Sequence, residues 1–131
     1  MKQETALYLE KARRLLETAK RLVADKYADD GGRDAYLAVY HAAQAFIFEH
    51  VGRAAKTHNG VHTKFAELTR NDARFDAALK AFLPQAYNLK AIADYELGEG
   101  ASLPLDRVVA AVRSAERFVE RIAEILSESA P

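Results

Sequence analysis

Three groups of side chains in this sequence have types and spacings that could do chemistry. The first is His58 and His62, four residues apart. On one helix face, two imidazoles at that separation could hold a metal or meet a phosphate. Thr57-His58-Asn59-Gly60 reads as a loop, so His58 is expected to precede a short helix over residues 61–69. No carboxylate or third histidine lies nearby, and no metal site is expected. Residues 51–66 carry Arg53, Lys56 and Lys64 and no acidic residue. A helix start flanked by cations suits a phosphate, and ordinary polar contacts of a loop are the alternative.

The second group is Tyr36, Tyr40, His41 and Gln44, spaced i, i+4, i+5 and i+8 so that they can share one side of a helix. Core or dimer packing with the hydroxyls bonded at its edge is the expected role, and base stacking is the other. The third is Asn88-Leu89-Lys90-Ala91-Ile92-Ala93-Asp94-Tyr95. Lys90 and Asp94 can pair across one turn, in the weaker order with lysine first, for tenths of a kcal/mol. Tyr87, Ala91, Asp94 and Tyr95 line up as one stripe, so Tyr95 is expected to be packed.

Much else is excluded. There is no glycine-rich phosphate loop, H-E-x-x-H, EF-hand loop or G-x-S-x-G elbow. The 131 residues include no cysteine, which removes thiolate chemistry, disulfides and zinc–thiolate sites and points to a reducing cytoplasm. Nineteen basic residues balance nineteen acidic ones, so any nucleic-acid contact must be confined to one face. The opening Met1-Lys2-Gln3-Glu4 is polar and unlike a secretory signal, and the apolar runs are far too short for a membrane span.

The elements that must position these groups are helical. The chain suits a single domain, residues 1–131, with a core of its own. Ala12, Leu15, Leu16, Ala19, Leu22 and Val23 form a stripe at helical spacing, predicting a helix over residues 4–24. Asp29-Asp30-Gly31-Gly32 is expected to break it. The next helix, residues 33–52, alternates alanines with aromatic residues and is apolar nearly all round, as befits a central helix or a dimer seam. Asn71 or Asp72 could cap the helix that follows residue 72. Pro84 is expected to interrupt that helix near Phe82-Leu83, and Gly98-Glu99-Gly100 to end it. Val108, Val112, Ala115, Val119, Ile122 and Leu126 give the last helix, over residues 105–127, the clearest period of all. No strand pattern competes, and an all-α, up-and-down antiparallel bundle of four to five helices follows.

Three stretches resemble the HEPN domains, in particular their small stand-alone bacterial and archaeal branch. Residues 35–45 resemble that branch's aromatic- and alanine-rich second helix. Lys56-Thr57-His58-Asn59-Gly60-Val61 resembles its Lys-Ser/Thr-His-x-Gly-Val loop, and Ala93-Asp94-Tyr95 the end of its Arg-x-x-Ala-Asp-Tyr element. The resemblance implies a homodimer, often the toxin of a pair with a nucleotidyltransferase antitoxin. It also implies metal-independent ribonuclease chemistry at an R-x(4–6)-H motif in the dimer cleft, with no cofactor. Lys90 stands at the arginine position and Tyr95 at the histidine position. Lysine keeps the charge without the planar fork, and a phenol is a weak general base at neutral pH. The expected function is therefore binding of RNA or a nucleotide, with Lys90, Asp94 and Tyr95 at the motif and Lys56, His58, Tyr40 and His41 as binding residues, and with weak or lost catalysis. Two alternatives stand beside it: a non-catalytic module docking a nucleotidyltransferase or other helical partner, and a ribonuclease using His41 or His58.

Overall fold

Apolar residues recurring every three or four positions force each helix to bury one stripe, and the computed structural model arranges five such helices. It describes residues 1–97 and 102–128. The helices are α1 (Gln3–Ala24), α2 (Ala28–Val51), α3 (His58–Thr69), α4 (Ala77–Tyr95) and α5 (Leu105–Glu128), with no strand among the described residues. None is long and apolar enough to cross a membrane.

Side-chain contacts fix the direction of each long helix. Tyr8, early in α1, meets Phe48, late in α2. Arg33, early in α2, reaches Asp94, late in α4. A side chain on Gly31 would touch both Val23 at the end of α1 and Val108 at the start of α5. The four long helices therefore run up and down in turn, with α3 as a short cross-piece. As its composition demands, α2 is central and packs against all four others.

Local expectations were corrected at four points. Asp29-Asp30-Gly31-Gly32 does not break the chain but lies inside the first turns of α2. The turn comes earlier, at Lys26, whose φ is +67°. Gly31 and Gly32 are there for close packing: a Cβ would stand 2.8 Å from Val23 Cγ2 on the first and 2.9 Å from Leu103 Cδ1 on the second. Their weak helix preference is offset by the approach of α1 and of the segment before α5.

Pro84 sits within α4 without ending it. It lies on the exposed side, where the carbonyl left without an N–H partner can turn to water, while Phe82 and Leu83 hold the turn in the core. The cap of α4 is Asp76, whose carboxylate accepts the Leu79 N–H at 2.8 Å, rather than Asn71 or Asp72. Asp72 instead folds the preceding turn by accepting the Arg74 N–H. The helix ends at Tyr95, and Gly98-Glu99-Gly100 lies outside the described residues.

The fourth correction bears on function. Thr57 caps α3 by accepting the Gly60 N–H at 2.9 Å, so His58 is the first residue of that helix, one turn below His62. The other end of α3 is anchored by Phe65, which meets Phe46, Phe75 and Phe118 with centroids 5.4–5.8 Å apart. This aromatic core holds α3 against α2, and so holds both histidines in place.

Candidate functional site

At the head of α3 the two histidines converge on one atom. Tyr36 projects from α2 into the interior, and its hydroxyl lies 2.6 Å from His58 Nδ1 and 3.0 Å from His62 Nε2. Burial pushes the Tyr36 phenol up. Burial also pulls both imidazoles down, with Lys90 adding to the effect on His58 and His58 to that on His62. The His58 ring is exposed on one side and flanked by aromatic rings on the other, with Tyr40 at 4.8 Å, Tyr87 at 5.5 Å and Tyr36 at 5.6 Å.

The loop leading to His58 is tied down from α2. Tyr40 donates its hydroxyl to the Lys56 carbonyl at 3.4 Å, and the Gln44 amide donates to the Ala55 carbonyl at 3.1 Å. That second bond turns the Gln44 oxygen toward His41, so His41 Nδ1 donates to it, at 2.6 Å. Burial keeps His41 below its ordinary range. Tyr40 is buried and Gln44 with it, so both position the loop, whereas the Lys56 side chain is exposed with no carboxylate paired to it among the described residues.

The third group stands beside these. Lys90 Nζ lies 2.8 Å from Asp94 Oδ2, 6.0 Å from the Tyr87 centroid and 5.6 Å from that of Tyr95. Asp94 Oδ1 accepts from Arg33 Nε at 2.6 Å, and Arg33 Nη1 donates to Asp30, also at 2.6 Å. Lys90 first, and then Arg33, holds the Asp94 carboxyl below the usual carboxylate range, and Asp94 in turn raises Lys90. Tyr95 is 73% exposed and not packed, contrary to the stripe argument. Its place in the last turn of α4 carries it past the neighbouring helices.

These contacts connect all seven residues singled out from the sequence. His41 meets Tyr40, Tyr40 meets His58 and Lys56, and His58 meets Tyr87. Tyr87 leads to Lys90, and Lys90 to Asp94 and Tyr95. Sequence reasoning gave no role to Arg33, whose partner is 61 residues away. Nor did it join Tyr36 to the histidines. The local signals were slight: Arg33 is the only cation in the first half of α2, and Tyr87 precedes Lys90 by one turn. Chemically, the strip offers a neutral imidazole at the surface beside an ammonium group over aromatic faces. That combination can accept a proton or hold a phosphate.

Asp94→Asn is expected to lower stability by about 1 kcal/mol at pH 7, the scale of a partly exposed charge network. Asp94 titrates lower in the folded chain than its ordinary 3.8, so its contribution is present above that value and lost as pH falls through the folded pKa. The gap between wild type and variant in urea titrations should therefore close as pH falls below the ordinary carboxylate range. A gap that persists in strong acid would show that charge is not its source.

A family model described as the HEPN domain matches residues 5–128 of this chain. The chain is also similar to a protein of Methanocaldococcus jannaschii named "Putative toxin MJ0605". The two are 27% identical over 128 residues, covering 98% of this chain and 92% of the relative.

Proposed function

The chain belongs to the HEPN family, and from that premise we propose a toxin-like protein that acts in the cytoplasm. In this reading it is a homodimer that binds RNA or a nucleotide in a cleft lined by Lys90, Asp94, Tyr95 and His58. Toxin character is supported by the name of the similar archaeal protein. Binding is supported above all by Lys90: its ammonium group lies by two tyrosine rings, close enough to His58 to lower that imidazole's pKa. A cation supplies phosphate affinity, and the exposed Tyr95 ring offers a face on which a base can stack. Asp94 serves as an internal counter-charge that an incoming phosphate must displace from Lys90. A small nucleotidyltransferase is the antitoxin partner that fits the family.

The test is binding of a single-stranded RNA oligonucleotide, followed by fluorescence anisotropy as salt is raised from about 50 to about 200 mM. Affinity should fall linearly on a log–log plot, by about 0.7 for each phosphate contacted. Light scattering on the same sample should give twice the chain mass. Failure to bind at low salt would refute the reading. A stable complex with a co-expressed nucleotidyltransferase, indifferent to changes at Lys90 and Tyr95, would favour a docking module instead.

A further inference from the structure

We propose that His58 is the general base of this site, with Tyr36 and His62 behind it as a buried proton relay. The inference rests on the RNA-binding reading above and adds chemistry to the same cleft.

The Tyr36 hydroxyl has one hydrogen to give, yet it stands at bonding distance from two ring nitrogens. Both bonds form only if one imidazole presents an N–H to the oxygen and the other a lone pair. When His58 Nδ1 donates to Tyr36, and Tyr36 donates to His62 Nε2, the outer Nε2 of His58 is left with a free lone pair. That atom has no partner among the described residues, and its ring is exposed. Among the described residues, the titratable groups facing the ring are Tyr36 and Tyr40 from α2, His62 from α3, and Tyr87 and Lys90 from α4. None of them is a carboxylate that would favour an imidazolium. His58 therefore stays neutral near pH 7, the form a base requires. It supplies what a phenol at position 95 cannot.

A ribose 2′-oxygen attacks the adjacent phosphorus, and its proton passes to His58 Nε2. The Nδ1 proton moves to the Tyr36 oxygen as the proton of Tyr36 moves to His62 Nε2, so Tyr36 never becomes the phenolate that its raised pKa disfavours. The P–O5′ bond breaks, and the leaving 5′-oxygen takes a proton from water. The products are a 2′,3′-cyclic phosphate and a 5′-hydroxyl, and His62 then returns its extra proton to solvent. Lys90 faces the phosphate charge throughout.

The experiment uses the whole chain with a single-stranded RNA oligonucleotide and its all-2′-deoxy counterpart, measuring binding and the chemistry of the ends. Wild type should release cyclic phosphate ends from RNA and leave the deoxy strand intact. His58→Gln, at an exposed position, should fold and, at saturating RNA, cleave at least about 100-fold more slowly, a loss of turnover that weaker binding alone does not produce. His62→Gln and Tyr36→Phe should bind normally and cleave about tenfold more slowly. The pH profile separates a relay from simple packing. In wild type two imidazoles must both be neutral, so the rate falls by up to two decades per pH unit on the acid side; in His62→Gln it falls by one. Circular dichroism establishes that each variant is folded. RNA binding without cyclic ends, or wild-type cleavage by His58→Gln, overturns the relay and leaves the binding site standing. Absence of RNA binding overturns both.

Discussion

Replacing Lys90 with alanine is expected to weaken RNA binding about 100-fold at low salt. A charge-assisted contact contributes roughly 1.5–3 kcal/mol, and about 1.4 kcal/mol is a tenfold change in affinity. One lost contact therefore costs at least about tenfold, and in a homodimer every substitution is made twice. Removal of the ammonium also leaves Asp94, among the described residues, paired only with Arg33, which makes the surface less attractive to an anion. The same measurement should show the salt slope shallower by about 1.4, from two phosphate contacts at about 0.7 each. Lys90→Arg should restore binding, since guanidinium keeps the charge and adds a planar fork for phosphate oxygens. Affinity and slope unchanged in Lys90→Ala would remove Lys90 from the site.

The second large effect concerns the support beneath the site. Phe118 of α5 is fully buried against Phe65 and Phe82, with ring centroids 5.4 and 6.4 Å apart. Its truncation to alanine should cost about 4 kcal/mol, combining lost burial with the cavity left behind. That is nearly a thousandfold in the folding equilibrium, from a total that for domains of this size is about 5–15 kcal/mol. The urea midpoint should fall with little change in slope. Phe65 loses its partner on α5 by the same change, so amide exchange in α3 should accelerate more than in α1. His58 and His62 would then be held less firmly, and RNA affinity should decline even in the fraction that remains folded. A cost below about 1 kcal/mol would mean that the aromatic core contributes little to holding α3.

Much of the fold was legible because helical periodicity is a local signal. The four-and-three spacing from Val108 to Leu126 predicts a helix over residues 105–127, and α5 is described over Leu105–Glu128. Alanine- and aromatic-rich α2, with no Asp, Glu, Lys or Arg between Asp34 and Glu49, read as a central helix or a dimer seam, and it is central. Gly52 lies where the end of α2 needs it, taking a φ of +82°.

Where local rules failed, a distant neighbour decided the outcome. Gly31 and Gly32 read as a break, because a sequence does not show Val23 and Leu103 pressing on their α-carbons. Pro84 read as an interruption, although the packing of Phe82 and Leu83 carries α4 through it. The site divides in the same way. Residue types alone picked out Lys90, Asp94, His58 and the tyrosines of α2, and a family resemblance supplied the reason to look there. That Tyr36 joins two histidines, that Arg33 shares Asp94 with Lys90, and that Tyr95 stands in solvent were decided only in the tertiary structure. Helix formation depends on residues three and four apart. Hydrogen bonding between side chains on different helices, and the desolvation that shifts their protons, depends on how those helices are laid together.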